Sequence, residues 1–203
     1  MRKKILDDLS SVIDDKYKIL KNLLRISKSI KISIEIIYKK LRNGGTIFIC
    51  GNGGSAADSQ HLVAEFLVRL RSHINRKPLS AVALTMDSST LTACANDYGF
   101  KYVFSRNLEA LSCKNKDVLI AISTSGNSEN VIEALKYAKK NRILTVGFLG
   151  GSGGKAKKLC DIPLIVNSYK TARIQECHIF LGHYIAEKIE DKFLKKSFRF
   201  NLK

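Results

Sequence analysis

Long hydrophobic runs are missing from this 203-residue sequence. Apolar stretches such as TIFIC and VLIAIS fall far short of the roughly 20 residues that a bilayer-spanning helix requires, so no transmembrane helix and no membrane partner are expected. Paired cysteines are missing as well. Cys50, Cys94, Cys113, Cys160 and Cys177 are odd in number, scattered and without a C-x-x-C spacing. That pattern argues against a disulfide framework and a cysteine zinc site, and predicts reduced thiols. The start, MRKKILDDLSS, is basic but is interrupted at once by aspartates, with no apolar segment and small-residue cleavage site behind it; a cytoplasmic protein is expected. Neither a tandem repeat nor a low-complexity linker divides the chain. Its length favours one domain over 1–203, with N-terminal helices over 1–43 that serve oligomer packing and an α/β core plus C-terminal helix over 44–203.

Acidic residues are scarce, 18 against 35 lysines and arginines, for a formal charge of +17. Such an excess can neutralise nucleic-acid phosphates. Here the lysines are spread over nearly every amphipathic segment without the aromatic interleaving of a base-stacking surface. The charge therefore reads as a lysine-rich solvated surface, with no nucleic-acid partner expected. It is compatible with a phosphorylated small-molecule substrate.

Apolar residues recur at helical spacing from Ile5 to Leu41 and stop at Asn43-Gly44-Gly45, which predicts one long or two consecutive amphipathic helices. Beyond them, short β-rich runs at 46–50, 80–85, 117–122, 143–149 and 162–166 alternate with helical segments near 56–71, 88–97, 101–111, 129–140 and 171–196. This alternation predicts an α/β fold: a doubly wound, five-stranded parallel sheet with helices on both faces. Ligands in such folds sit beyond the carboxyl ends of the strands. The apolar stripes of the N-terminal helices exceed what one layer covers, so they are expected to pack on the last helix or on another subunit.

Two small-residue loops fall at those strand ends. GNGGSA follows the first strand and satisfies G-x-G-x-x-A at Gly51, Gly53 and Ala56, formally a dinucleotide fingerprint. The acidic residue that should follow about 20 positions on is absent; the nearest so placed, Asp87, is roughly thirty residues beyond Ala56. A nicotinamide site is disfavoured on that ground, and glycines serving only a tight turn remain the plain alternative. STSGNS follows the third strand and opens a helix. Ser123, Thr124, Ser125 and Ser128 supply hydroxyls, Gly126 permits the turn, and the helix N-terminus adds free amides and positive partial charge. These are the ingredients of a phosphate-monoester site without lysine; the competing reading is a serine-rich helix cap.

His61 and Glu65 stand at i and i+4, hence on one helical face just after the glycine loop. A solvated surface pair has the same spacing. Near the C-terminus, TARIQECHIFLGHYIAEKIE is amphipathic yet carries Gln175, Glu176, His178 and His183 among its apolar residues. Buried polar groups need partners, so one face of that helix is expected to border a site. Helical spacing does not choose between His178 and His183.

Together, GNGGSAADSQHLVAEF, ANDYGF, ISTSGNSENVIEAL and TARIQECHIFLGH resemble the phosphoheptose isomerases, or sedoheptulose 7-phosphate isomerases, of the sugar isomerase (SIS) superfamily. The resemblance spans nearly the whole chain, with four separated motifs in order. It implies a homotetramer of flavodoxin-like SIS-domain subunits, each with an N-terminal helical extension. The implied reaction turns sedoheptulose 7-phosphate into D-glycero-D-manno-heptose 7-phosphate, the first step towards ADP-heptose for lipopolysaccharide core or related glycans. It also implies that Asn52, Gly53, Gly54 and Ser55 line the sugar site with Asn96 and Asp97, that Arg69 approaches it, and that Ser123, Thr124, Ser125 and Ser128 hold the phosphate. The implied zinc, one per subunit, sits on His61, Glu65, Gln175 and His183, with Gln175 and Glu65 also on the substrate. The implied catalytic pair is Glu65 and His183, which prefers His183 over His178. Ala172 stands where some members carry an acid and receives no ligand role.

The chemistry suits those residue types. Interconverting ketose and aldose moves a proton between adjacent carbons through an enediol while a second group handles oxygen protons, work that a carboxylate and an imidazole can divide. Two imidazoles, a carboxylate and an amide oxygen form an acceptable zinc set. The rival from another class is a non-enzymatic SIS-domain binding protein, like the bacterial factor that associates with the replication initiator DnaA. Such an adaptor has no need of the polar set His61, Glu65, Gln175 and His183. An amino-sugar phosphate isomerase or a sugar-phosphate sensor domain is a further SIS reading, disfavoured because no glutaminase or DNA-binding segment accompanies this domain.

Overall fold

The computed structural model describes residues 2–112 and 114–200, with side chains from 5 to 112 and 115 to 194. Cys113 and the end of the basic C-terminal tail lie outside the described residues. The chain opens with two helices, α1 (Arg2–Asn22) and α2 (Ser27–Arg42), separated by a 3₁₀ turn at Leu23–Ile26. Of the two expected arrangements, two consecutive helices is the one observed. Asn43 and Gly44 close α2, and Gly44 holds the left-handed φ of 78° that glycine adopts without a Cβ penalty.

Five strands follow: β1 (Ile47–Cys50), β2 (Ala81–Ala83), β3 (Val118–Ser123), β4 (Leu144–Gly150) and β5 (Ile162–Val166). Between and after them run α3 (Gly54–Leu67), α4 (Ser88–Asp97), α5 (Val103–Leu111), α6 (Glu129–Lys140) and α7 (Thr171–Phe200). All neighbouring strands pair in parallel, in the order β2-β1-β3-β4-β5. That is the flavodoxin-like order, whose switch point lies between β1 and β3. The register there pairs Cys50 with Ala121, so β1 ends two residues short of the end of β3 at Ser123.

Strands buried on both faces alternate their residues between two cores. Ile47, Ile49, Ile120, Ile122 and Phe148 join α2, α3 and α7 on one face, while Phe48, Cys50, Leu119, Ala121 and Leu149 join α4, α5 and α6 on the other. Because β1 leads into α3 and β3 into α6, the chain leaves the switch point towards opposite faces. The N-terminal helices pack on α7, where the Tyr38 and Phe193 rings meet edge-on at 4.9 Å. Ile5, Leu6, Leu9, Val12, Ile13 and Tyr17 of α1 remain exposed.

Boundaries differ from expectation where tertiary contacts decide them. The helix expected over 56–71 begins at Gly54, since Gly53 turns the chain at φ 55°, and it ends at Leu67. The segment 101–111 divides into a 3₁₀ turn at Phe100–Tyr102 and α5. The strand expected over 80–85 pairs only at Ala81–Ala83. No helix among the described residues is long and apolar enough to cross a membrane.

Candidate active site at the sheet switch point

The two small-residue loops meet where β1 and β3 end. Asn52 and Asn130 exchange a pair of amide hydrogen bonds, each 2.8 Å, and so join the glycine loop to the start of α6. In the second loop Ser123 Oγ accepts from Gly126 N at 3.1 Å and lies 3.2 Å from Ser128 Oγ. Gly126 takes φ 65°, and a Cβ there would stand 2.0 Å from the Gly153 carbonyl oxygen, so only glycine fits. Ser125 Oγ accepts from Asn127 N at 3.1 Å, and Asn127 Oδ1 accepts from Lys155 N at 3.0 Å.

Ser123 and Ser125 thus serve turn amides, but the helix start itself is not capped by serine. Ser128 occupies the N-cap of α6 but makes no side-chain bond to its amides. A helix N-terminus without a serine cap, faced by a loop of hydroxyls held in a fixed turn, has the free amides and donors that suit an anion. The dinucleotide reading fails independently: Asp87, the only acid near the required place, caps α4 by accepting from Ser89 N at 3.0 Å.

From the glycine loop α3 runs alongside α7 in the same direction. Paired contacts recur at sequence separations of 119 to 122, from the His61–His183 pair to the Leu70 and Arg71 contacts with Glu190. Close approach is possible because a Cβ on Gly182 would meet Leu62 Cδ2 at 2.4 Å and one on Gly54 would meet Gln175 Nε2 at 2.6 Å. Across this joint His61 Nε2 lies 2.8 Å from His183 Nε2 and 3.2 Å from Glu65 Oε1. One donor atom from each of the three residues lies within 4.8 Å of the others.

The electrostatics favour a neutral imidazole at His183. Partial burial, then the neighbouring His61 imidazole, hold the His183 pKa below its ordinary value, while the Glu65 carboxylate pulls the other way. A neutral imidazole is the form that binds a metal or accepts a proton. Two imidazole nitrogens on one tetrahedral zinc stand about 3.3 Å apart for bonds of ~2.05 Å, so the observed 2.8 Å needs only a small opening to admit an ion. Two nitrogens and one oxygen suit zinc among divalent metals.

The other expected site residues lie apart from this trio. Gln175 and His183 are eight residues apart on α7, about 12 Å of helix rise, and the Gln175 amide packs against Gly54. Of the four expected ligands, three come together within one chain, and Gln175 lies beside the glycine loop. Asn96 Nδ2 donates to Asp97 Oδ1 at 2.8 Å, both exposed at the end of α4. Arg69 is exposed past the end of α3 and reaches the Ile74 carbonyl at 3.5 Å. Gly53 and Gly54 are exposed, whereas Ser55 is buried in the first turn of α3.

His178 belongs to the core. It is fully buried beside the Phe148 ring at 5.9 Å, and burial drives its pKa down to about 4. The Leu149 backbone lies near enough to oppose that shift slightly, yet neither ring nitrogen meets hydrogen-bond geometry among the described residues. Cys50, Cys94, Cys160 and Cys177 are free thiols, and burial raises Cys50 and Cys160 to about 12. Sequence reasoning missed Asn130, whose tie to Asn52 rests on a tertiary contact 78 positions long. It also missed Arg76 and Glu190, a buried ion pair at the far end of the α3–α7 joint.

A parallel 2-1-3-4-5 sheet with a hydroxyl-rich loop at its switch point and a polar trio between α3 and α7 fits a class, the SIS domain, and the SIS domain family model matches residues 14–150. The chain is 49% identical over 182 residues to a phosphoheptose isomerase of Clostridium acetobutylicum, covering 90% of this chain and 91% of that protein. It is likewise 49% identical to the phosphoheptose isomerase of Helicobacter pylori, over 87% of this chain and 91% of the other. The solved structure of the Neisseria gonorrhoeae phosphoheptose isomerase superposes with a TM-score of 0.85 at 39% identity, covering 92% and 99% of the two chains. The chain belongs to the phosphoheptose isomerase family.

Proposed function

We propose that this protein interconverts sedoheptulose 7-phosphate and D-glycero-D-manno-heptose 7-phosphate through an enediol, as the first step towards ADP-heptose for lipopolysaccharide core or related glycans. The observation that carries the reading is the His61–Glu65–His183 trio, assembled from α7 and from α3, the helix that starts at the glycine loop beyond β1. His61 follows Gly54 by seven residues, about 10 Å of helix rise. That spacing suits a substrate with its phosphate at one end and its reacting carbons at the other. Ser123, Thr124, Ser125, Ser128 and the α6 amides hold the phosphate, while Asn52, Gly53, Gly54, Ser55 and Gln175 border the sugar. Asn96, Asp97 and Arg69 complete the sugar contacts on the reading inferred from the family.

Glu65 acts as the base that lifts the proton from C1 of the ketose and returns it to C2 of the aldose. His183, kept neutral by burial, exchanges protons with the substrate oxygens and assists ring opening. His61, Glu65 and His183 would hold one zinc per subunit, which supplies polarisation of the carbonyl. The exposed apolar stripe of α1 supports assembly into a homotetramer, and the composition supports a cytoplasmic setting. The adaptor reading is not favoured, because an assembled acid–base trio serves no purpose in a protein that only binds a partner. Incubation with sedoheptulose 7-phosphate and detection of the aldose phosphate tests the proposal. Wild type that forms no aldose refutes it; Glu65→Gln and His183→Ala variants that keep full turnover refute the assigned pair.

A further inference from the structure

Arg76 and Glu190 take no part in the chemistry described so far, yet they form the most buried ion pair at the joint between α3 and α7. Their side chains are 4% and 1% exposed, with Arg76 Nε donating to Glu190 Oε1 at 2.9 Å. The rest of the guanidinium is spent on backbone. Nη2 donates to the carbonyl of Glu65 at 2.6 Å, and Nη1 to those of Phe66 at 2.9 Å and Lys77 at 3.1 Å. The last carbonyls of a helix have no partner within it, and here one side chain takes two of them, including that of the proposed catalytic base. Glu190 also accepts from Leu70 N at 3.1 Å and from Arg71 Nε at 3.0 Å.

These contacts lie on the same pair of helices as the trio. Glu190 follows His183 by seven residues, two turns down α7, and Arg76 grips the turn of α3 that contains Glu65. A slip of α3 against α7 would change the His61–His183 distance before it changed anything else in the site. We propose that the Arg76–Glu190 pair is a positioning element that sets the register of α3 on α7 and thereby the spacing of His61, Glu65 and His183. A buried charge pair is weak evidence for stability, since well-packed apolar groups of equal volume commonly match it. The planar fork of Arg76 does what an apolar group cannot: it bridges a carboxylate on one helix and backbone carbonyls on the other.

The inference rests on the isomerase reading for its kinetic arm and is independent of it in its metal arm. Arg76→Lys and Glu190→Gln are compared with Leu135→Ala, a truncation in the core on the opposite face of the sheet. Three quantities are measured on the full chain: melting temperature, zinc affinity by chelator competition, and kcat and KM with sedoheptulose 7-phosphate. The expected result is a zinc Kd raised about tenfold or more and kcat lowered by a similar factor in the two joint variants. KM should stay within about twofold, because the phosphate loop is untouched. Leu135→Ala should melt earlier with both quantities preserved at a temperature where it is folded. Joint variants that keep wild-type zinc affinity and kcat overturn the proposal. So does a Leu135→Ala variant that reproduces their losses, which would reduce the pair to general stability. Wild type that binds zinc but turns over no heptose phosphate defeats the isomerase reading and leaves the zinc comparison to judge the joint.

Discussion

His61 and His183, 122 positions apart in the chain, bring their Nε2 atoms to 2.8 Å. Glycine makes this possible: Gly182 sits against Leu62, one residue from each imidazole, and leaves α7 no side chain to hold α3 away. The relationship ties the proposed metal and acid–base chemistry to helix packing, so changes to the packing should be read out in the chemistry.

Gly182→Ala is expected to damage the enzyme although alanine favours helix. The added methyl would stand 2.4 Å from a Leu62 methyl in a closed core, at an overpacking cost of about 1–3 kcal/mol, against roughly 1 kcal/mol gained in helix propensity. Activity should fall by more than the melting temperature alone explains. A variant with wild-type kcat would show that the helix spacing is not what holds the two histidines.

In the proposed phosphate loop, two substitutions should separate binding from folding. Thr124→Val removes a hydroxyl with little change of volume. A lost hydrogen bond to a charged group is worth about 1.5 kcal/mol, so KM for the 7-phosphate should rise roughly tenfold while the melting temperature stays put. Gly126→Ala must move the Gly153 backbone and strain φ at 65°, and should lower both stability and substrate affinity.

Metal removal should be visible without any assay of turnover. A ligand present at a hundredfold its Kd stabilises by about 2.7 kcal/mol, which for a chain of this size corresponds to roughly 5–10 °C. Chelated protein should melt that much lower, recover with zinc, and lose the response in His61→Ala. Full isomerase activity in demonstrably metal-free enzyme would sink an essential catalytic role for the ion.

Acid sensitivity should trace to His178. Its folded pKa of about 4 lies below the ordinary 6.5, so the unfolded chain binds more protons between those values and stability falls as pH drops through that window. The contribution is present above pH 6.5 and amounts to roughly 3 kcal/mol lost by pH 4. Urea melts of wild type and His178→Leu across pH 7.5 to 4 should show a steeper decline in wild type. Parallel pH curves would place the acid-labile group elsewhere.

Much of this was legible in the chain. The five β-rich runs, the turn at Asn43-Gly44 and the hydroxyls of STSGNS report local needs: alternating burial, a left-handed turn, an uncapped helix start. His61 and Glu65 share a face because the helix period puts them there. Local spacing, by contrast, does not show that Gln175 meets Gly54 while His183 meets His61. Nor does it consign His178 to the core against Phe148, because the two histidines differ only in which layer α7 presents to the sheet.

The sequence by itself determined the parallel α/β architecture and the chemistry available at each strand end, since periodicity and turn residues act over a few positions. Which of those groups meet was decided only in the tertiary structure. The trio, the Asn52–Asn130 tie and the Arg76–Glu190 pair all depend on how closely α3 approaches α7 and α6 approaches the glycine loop, distances set by packing between segments far apart in the chain.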